Sequence, residues 1–478
     1  MKLAIAVLAT GLALLASQAQ AAVTFDFIFD GGYPLAVSDD GTVVTGQLAA
    51  NPYGVFRWTQ ASGVVPLGRN QRVGTGGTVG ISANGLVIAS SIGSPDSSYT
   101  TQGLWTQAVG WQELMPPPPA DGGTVDGSYG NVWALSGDGT TPVGLYWRPG
   151  QGNRAHASKW TQATGVADLG GCVTGQSSRA NGANYDASVI TGWVETPTGP
   201  WRPAAWVSGS LVLLTDYQEV GGITVGAGEG RATSPNGDII VGYSIDGDSG
   251  QRAAAMWTRT AGVYGPTQIL GWVNGSQPGN GINIAEAVSA DGRIAIGYCS
   301  FDGSPFGTTG FVWTAQTGAV EDVNQWLADN GVLVDPNFSI ESLDTMTPDG
   351  TQIFGHGQLL VPPYTREAFR ITAPNVAAAP PLAKNPRLEL SAPRPNPSSA
   401  ETRLEFTLPS AGTVDLSVFD ASGRRIATLI SGELPAGTRS IRWDGRRADG
   451  RAVATGLYLV RLNTPVGSAV RRLVRIDG

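Results

Sequence analysis

Three charged residues occupy the same place in consecutive sequence units: Arg231, Glu286 and Asp344 each stand five residues ahead of an Asn-Gly or Asp-Gly pair. If those units are equivalent strands around an axis, one guanidinium and two carboxylates meet at one level. That arrangement can bind a polar ligand or a cation. Its structural counterpart is a salt-bridged network that completes a wall, since structural ion pairs perturb sites as readily as functional ones. Two carboxylates also suffice for glycoside cleavage. Other chemistry-bearing residues are sparse. Asp246-Gly247-Asp248-Ser249-Gly250 puts two acids in a tight loop but lacks the third acid and the distal Glu of a complete Ca²⁺ loop. His156 and His356 are the only histidines, and Cys172 and Cys299 the only cysteines. No metal, cofactor or catalytic residue is therefore assigned. No Gly-x-Ser-x-Gly elbow, phosphate-cradling glycine loop or His-based triad occurs.

The elements that must position the three charges come from an internal repeat. The pairs Asp40-Gly41, Asn84-Gly85, Asp138-Gly139, Asp186-Ala187, Asn236-Gly237, Asp291-Gly292 and Asp349-Gly350 recur at spacings of 44, 54, 48, 50, 55 and 58 residues. A small polar residue stands two places before each: Ser38, Ser82, Ser136, Asn184, Ser234, Ser289 and Thr347. A glycine usually follows five or six places later, as in Gly46, Gly144, Gly192, Gly242, Gly297 and Gly355. Next comes a Trp-Thr pair, at Trp58, Trp105, Trp160, Trp257 and Trp313, with Trp206-Val207 and Ile371-Thr372 as degenerate members. A Gly-apolar-x-x-Leu tail closes most units.

Asp-Gly and Asn-Gly supply the positive φ of tight hairpins, so each unit reads as a four-stranded antiparallel meander of about fifty residues. One such unit cannot bury both faces and must stack on its neighbours, which predicts a seven-bladed β-propeller over residues 22–373. The seventh unit runs into Pro374 without a fourth strand, while an unassigned strand, Val23 to Phe29, precedes the first unit. We expect that strand to complete the last blade. The in-register tryptophans are expected in the core or between blades. Trp111, Trp193, Trp201, Trp272 and Trp326 fall outside the register and are expected to be exposed contacts.

Composition agrees with an all-β chain. The 478 residues include 67 glycines and 31 prolines but only 14% charged residues, too few for the solvent faces of long helices. Net charge is −8, unevenly placed: Arg387 to Gly478 holds 14 Arg and 9 acids (+5), the remainder 16 basic and 29 acidic residues (−13). The acidic part has no basic stripe, which argues against nucleic acid as a partner. Lys2, the apolar run Leu3 to Leu15 and Ala19-Gln20-Ala21 read as a secretory signal cut after Ala21. Thirteen apolar residues are too short to span a bilayer, so no transmembrane segment is expected in the mature chain. Export into an oxidising compartment permits a Cys172–Cys299 disulfide without requiring it.

After a Pro/Ala-rich linker at 374–386, residues 387–478 read as seven short strands separated by turn signals, an Ig-like β-sandwich. Trp443 and Tyr458 are expected in its core.

Two resemblances add to this reading. The Ser-x-Asp-Gly and Trp-Thr units resemble the HAF-type extracellular bacterial repeats, named for a His-Ala-Phe signature; the seventh unit has Ala368-Phe369 preceded by Glu367. That likeness implies an exported location rather than a defined chemistry. Pro395-Asn396-Pro397, Phe419-Asp420-Ala421-Ser422-Gly423-Arg424, Trp443-Asp444-Gly445-Arg446 and Gly456-Leu457-Tyr458 are similar to the FlgD Ig-like domain and to C-terminal sorting domains of exported proteins, including the type IX class. That likeness implies a terminal module for sorting, attachment or assembly. The reading is thus an exported, non-catalytic propeller, secreted or at the cell surface. It binds an extracellular protein or glycan, and its Ig-like module meets secretion or cell-surface machinery. The alternative is a secreted carboxylate-based glycoside hydrolase or lyase acting at the channel.

Overall fold

The computed structural model describes residues 22–374 and 389–476, except 50–53, 70–75, 95–98, 115–128, 148–153, 172–175, 197–200, 215–227, 247–250, 274–280, 301–306, 392, 409–411, 435–436, 448 and 465–466. The chain divides into two compact units, Met1–Pro380 and Pro381–Gly478. The signal segment, Cys172 and most of the Asp246–Gly250 loop lie outside the described residues, as does most of the linker.

The first unit is built of seven antiparallel sheets. Blade 1 runs Gly32–Val37, Val43–Leu48, Val55–Thr59 and Gly63–Pro66 in spatial order. Blades 2 to 6 repeat that meander, blade 5 with two short outer strands, Val263–Tyr264 and Gln268–Gly271, both paired with its third; their inner strands are Val79–Ile81, Gly130–Leu135, Ser178–Ala183, Glu229–Thr233 and Ile282–Val288. Blade 7 has Phe338–Met346, Gln352–Leu359 and Arg366–Thr372, and its outer strand is Thr24–Asp30 from the chain start. The expected closure is therefore present, in the register Phe25 to Ile371 and Phe27 to Phe369. Each inner strand touches the next around the ring, and that of blade 7 touches that of blade 1. The cores lie between blades: Ile239, Val241 and Met256 of blade 5 pack with Ala285, Ala295 and Trp313 of blade 6.

The repeated sequence signals acquire specific physical roles. In blade 1, the buried Ser38 hydroxyl donates to Asp40 Oδ1 (2.6 Å) and accepts the Val43 N–H (3.0 Å), while Asp40 Oδ1 accepts the Thr42 N–H (3.0 Å). Gly41 takes the positive φ of 72°. The same lock recurs through Ser136 with Asp138 and through Ser289 with Asp291. The residue between Ser and Asp bonds to the neighbouring blade: Asp39 N–H to Ala83 O, Ala83 N–H to Gly137 O, and Tyr185 N–H to Pro235 O. Pro235 and Pro348 have no N–H to continue the series. At the seam of blades 7 and 1, Gln352 Nε2 donates to Asp40 O instead (3.3 Å).

The glycine after each turn answers a different need. A Cβ on Gly46, Gly144, Gly192, Gly242, Gly297 or Gly355 would sit closer than 3.0 Å to a carbonyl oxygen of the adjacent inner strand. Replacing Gly297 by Ala is expected to cost about 1–3 kcal/mol, since neither backbone can yield without repacking. Chemical denaturation of the variant checks this; an unchanged midpoint would contradict it.

Two expectations need correction. Trp272 and Trp326 are buried, at 7% and 5% exposure. Trp326 lies on a helix, α1 (Val323–Asp329), that periodicity of strands gave no reason to expect. Asp322 caps it, its side chain accepting from Asn324 N and Gln325 N, and the helix buries Val323, Trp326 and Leu327 in the core of blades 6 and 7. Trp111, Trp193 and Trp201 are half-buried. Of the register tryptophans, Trp58, Trp160, Trp206, Trp257 and Trp313 are buried as expected.

The second unit is a two-sheet sandwich. Strands Glu389–Leu390, Thr402–Leu408 and Gly437–Trp443 form one sheet in that order. The other has Arg425–Leu434, Gly412–Asp420, Gly456–Thr464 and Gly467–Arg475. Trp443 and Tyr458 are buried in its core with ring centroids 6.0 Å apart, and their polar edges reach Arg446 O (2.9 Å) and Ala454 O (2.8 Å).

Candidate functional site

The inner strands enclose a channel of about 690 Å³. Its wall is shaped by β-bulges. The ladder between first and second strands skips Trp133, Asn181, Arg231, Glu286 and Asp344, so each of these residues is the unpaired member of a bulge. Glu341 is skipped likewise. A bulge bends the strand and re-aims the extra side chain. All six line the channel. The glycine behind the bulge lets the two backbones approach this closely.

Arg231 and Glu286 meet as the sequence comparison anticipates. Arg231 binds Glu286 through both Nη2 to Oε1 (2.9 Å) and Nε to Oε2 (3.2 Å), a forked geometry that fixes both groups. Arg231 Nη1 also reaches Glu229 Oε2 at 3.4 Å. Glu229 is buried and accepts from Arg179 Nη2 (2.6 Å), Asn181 Nδ2 (3.1 Å) and the Tyr243 hydroxyl (3.3 Å). Arg179 in turn lies 3.9 Å from the ring centroid of Trp133. Burial opposes the Arg231 guanidinium, but Glu286 and then Glu229 outweigh it and hold its pKa above the ordinary arginine value. Burial pulls Arg179 below that value, against Glu229. Burial, then Glu286, pushes Tyr298 up to about 12; burial, then Glu229, does the same for Tyr243.

Asp344 faces the same channel with a different partner. Its Oδ2 lies 2.6 Å from His356 Nδ1. His356 Nε2 is 3.6 Å from Glu341 Oε2, which also accepts from Arg366. The Arg366 guanidinium stands 4.8 Å from the Tyr33 ring, and Tyr33 meets the His356 ring edge-on at 4.8 Å. The wall thus holds two charge clusters, one spanning blades 4 to 6 and one centred on blade 7.

Comparison by position therefore places all three nominated residues on the wall but does not give their partners. Arg179 and Glu229 stand two residues before Asn181 and Arg231, so extending the comparison by one strand period finds them. His356 and Arg366 carry no such signal, because they arrive from the second and third strands of one blade.

Elsewhere, Cys299 is a buried free thiol, raised to about 11 by burial and then by Asp322. His156 Nδ1 lies 3.1 Å from Asp168 Oδ2. Among the described residues no group of three His, Cys, Asp or Glu side chains is placed to hold a metal ion, and no helix is long and apolar enough to cross a membrane.

In the second unit, the deciding features are a Trp-Asp-Gly-Arg turn whose indole bonds to Arg446 O, and the Pro395-Asn396-Pro397 segment. There Asn396 bonds to both Arg472 O (3.0 Å) and Val474 N–H (2.8 Å) along the last strand. Residues 396–467 match the FlgD Ig-like domain. FlgD from P. aeruginosa is 22% identical over 19% of this chain and 70% of its own, with a TM-score of 0.15. The FlgD-like module thus accounts for the C-terminal unit only. Solved structures similar to the chain also include TolB from Acinetobacter baumannii, with 12% identity, 50% of this chain and 56% of that one covered, and a TM-score of 0.35. The chain therefore spans just over half the length of that protein. The β-propeller domain of the Trilobed protease from Pyrococcus furiosus, described as having an open velcro topology, shows 10% identity over 72% of this chain and 95% of its own, with a TM-score of 0.44. No curated protein matches the chain in sequence.

Proposed function

We propose that the protein is exported and that its propeller binds an extracellular protein or glycan in the channel, without catalysis. The FlgD-like module serves sorting or surface attachment. Arg231, Glu286 and Asp344 are the proposed ligand contacts. The observation that carries this reading is the lining of the channel: Arg231, Glu286 and Asp344 all face it, oriented by hydrogen bonds and set beside Trp133, Tyr33 and Tyr298. Such an array with half-buried aromatic rings suits recognition of polar groups. The segment that reads as a secretory signal and the FlgD match at 396–467 support a location outside the cytoplasm.

The alternative, a secreted carboxylate-based glycoside hydrolase or lyase, has one observation in its favour. Asp344 and Glu341 flank one imidazole, which places their carboxylates within roughly 8 Å, a separation used for glycoside cleavage. The imidazole itself occupies that gap, where a sugar and its attacking water would have to stand. This supports binding over turnover.

The test uses the chain from Ala22, with and without Arg387 to Gly478, on an array of oligosaccharides and extracellular proteins. Replacing Arg231, Glu286 and Asp344 together by Gln is expected to abolish capture. Asp344→Asn alone, which leaves the Arg231 network intact, is expected to weaken it tenfold or more. Unchanged capture by the triple variant rejects the site. Release of reducing ends or of an unsaturated sugar from an array glycan, lost in Asp344→Asn, would establish the enzymatic alternative.

A further inference from the structure

The loop joining the second and third strands of blade 7 exposes apolar side chains in an unbroken run. Leu360, Val361 and Tyr364 are 55%, 41% and 57% exposed, and Pro362 and Pro363 between them are also exposed. Leu333, from the segment that follows helix α1, is 89% exposed. The two segments are joined by Leu360 N–H donating to Asn337 O (2.7 Å).

This ridge is held in place rather than left loose. Leu359 N–H bonds to Thr365 O (3.0 Å), Tyr364 N–H to Val361 O (2.8 Å), and Gln358 Nε2 to Tyr364 O (3.4 Å). Tyr364 adopts a φ of 56°, a left-handed conformation that is costly for a residue with a bulky side chain. A chain that fixes five consecutive apolar residues toward water, one of them strained, has a surface built for contact.

Its position says what it contacts. Arg366 stands two residues beyond Tyr364, about 7 Å along a strand, and lines the channel while pairing with Glu341. The blade 7 cluster sets two carboxylates, Glu341 and Asp344, against the guanidinium of Arg366 and the imidazole of His356, a cation only when protonated, and residues 1–386 are acidic overall. The ridge and the cluster therefore offer an apolar platform next to an acidic wall. A neutral glycan carries neither aliphatic side chains nor a cation; an extended polypeptide carries both at a spacing of a few residues.

We propose that the channel ligand is a polypeptide segment with a Lys or Arg side chain entering toward Glu341 and Asp344, and an apolar side chain a few residues away lying on the Leu360–Tyr364 ridge. This rests on the channel-binding reading and narrows it from protein or glycan to protein.

The experiment measures fluorescence anisotropy of the chain from Ala22 with a fluorescein-labelled dodecapeptide pool carrying Arg or Lys near Leu, Phe or Tyr. Two control pools replace the cations by Glu or the apolar residues by Ser, and a neutral oligosaccharide array is run beside them. The cationic–apolar pool is expected to bind and both controls to fail. Leu360→Ser with Tyr364→Ser, which alters only exposed side chains, is expected to weaken binding at least tenfold with an unchanged melting curve. Full binding by that double variant, with loss in Asp344→Asn, removes the ridge and leaves the channel reading standing. Oligosaccharide capture without peptide binding likewise overturns the peptide assignment alone. Binding of neither class sinks the channel reading and this inference with it.

Discussion

Removing residues 22–30 is expected to lower the melting temperature of the ring by on the order of 10 °C, whereas removing nine residues from the linker at 374–386 leaves it unchanged. The asymmetry follows from what the first strand does. It pairs with Arg366–Thr372 over its whole length and places Phe25 against Phe369 at 4.8 Å between ring centroids. Phe29 reaches across the seam to blade 1, meeting Phe56 at 4.9 Å. One segment therefore supplies an edge strand, part of a core cluster and a contact between the first and last blades. Phe25 and Phe29 are half-buried, so each loss costs less than the about 3–5 kcal/mol of a fully buried Phe, and an opened seam adds the exposure of an unpaired edge. Circular dichroism melts of the two deletion variants decide the matter: equal melting would show that the ring does not depend on its own beginning.

Arg231→Met is expected to destabilise the propeller by about 3 kcal/mol. Breaking a buried ion pair by removing one partner commonly costs about 3–5 kcal/mol, because the other charge is left behind without compensation. Here Glu286 loses its fork while Glu229 keeps Arg179, Asn181 and Tyr243, and a quarter-exposed Arg231 side chain places the cost at the lower end of that range. The conservative Arg231→Lys cannot restore the fork, since an ammonium offers no paired planar donors. The pH dependence supplies a check. Tyr243 and Tyr298 are raised to about 12 by burial and then by the same carboxylates. A raised tyrosine contributes stability that is full below its unfolded value near 10 and is lost as pH climbs toward 12. Wild-type protein should thus lose stability across that window, and Arg231→Met, which removes a cation beside Tyr298, should ionise that phenol at still higher pH. An ultraviolet titration of phenolate absorbance reads this directly; a lower midpoint in the variant would contradict the assignment of the charges.

Much of the architecture is legible in the chain because its logic is local and repeated. An Asp-Gly or Asn-Gly pair dictates a turn, and six of them in register with Asp186-Ala187 dictate seven equivalent sheets. The strand borrowed from the chain start is inferred by the same logic, since Pro374 follows the seventh unit before a fourth strand can form. What stays hidden depends on context. Ser38 and its counterparts read as small polar residues, and nothing in their identity says that hydroxyls such as that of Ser38 would bridge the Asp or Asn side chain of the turn and a backbone N–H in a dry site. Helix α1 interrupts an all-strand rhythm over only seven residues, and its one sequence cue is the capping Asp322. The blade 7 cluster escaped because His356 and Arg366 reach the channel from strands that usually face other blades, a consequence of the packing around Tyr33 rather than of any spacing. Bulges, too, are invisible to position counting: Arg231, Glu286 and Asp344 were aligned correctly by their distance from the turn, but only the skipped pairings explain why they turn inward.

Those skipped pairings bear on how such a protein changes over generations. The backbone at each bulge is permitted by a bare glycine on the next strand, so the bulge itself demands no particular side chain at the protruding position, even though Arg231 has become tied to Glu286 and Glu229. Across the ring the same slot accommodates an indole, a carboxamide, a guanidinium and a carboxylate without altering the scaffold around it. The side chains that line the pore can therefore be revised by single-codon substitutions, each independent of its neighbours except where two charges have already become partners.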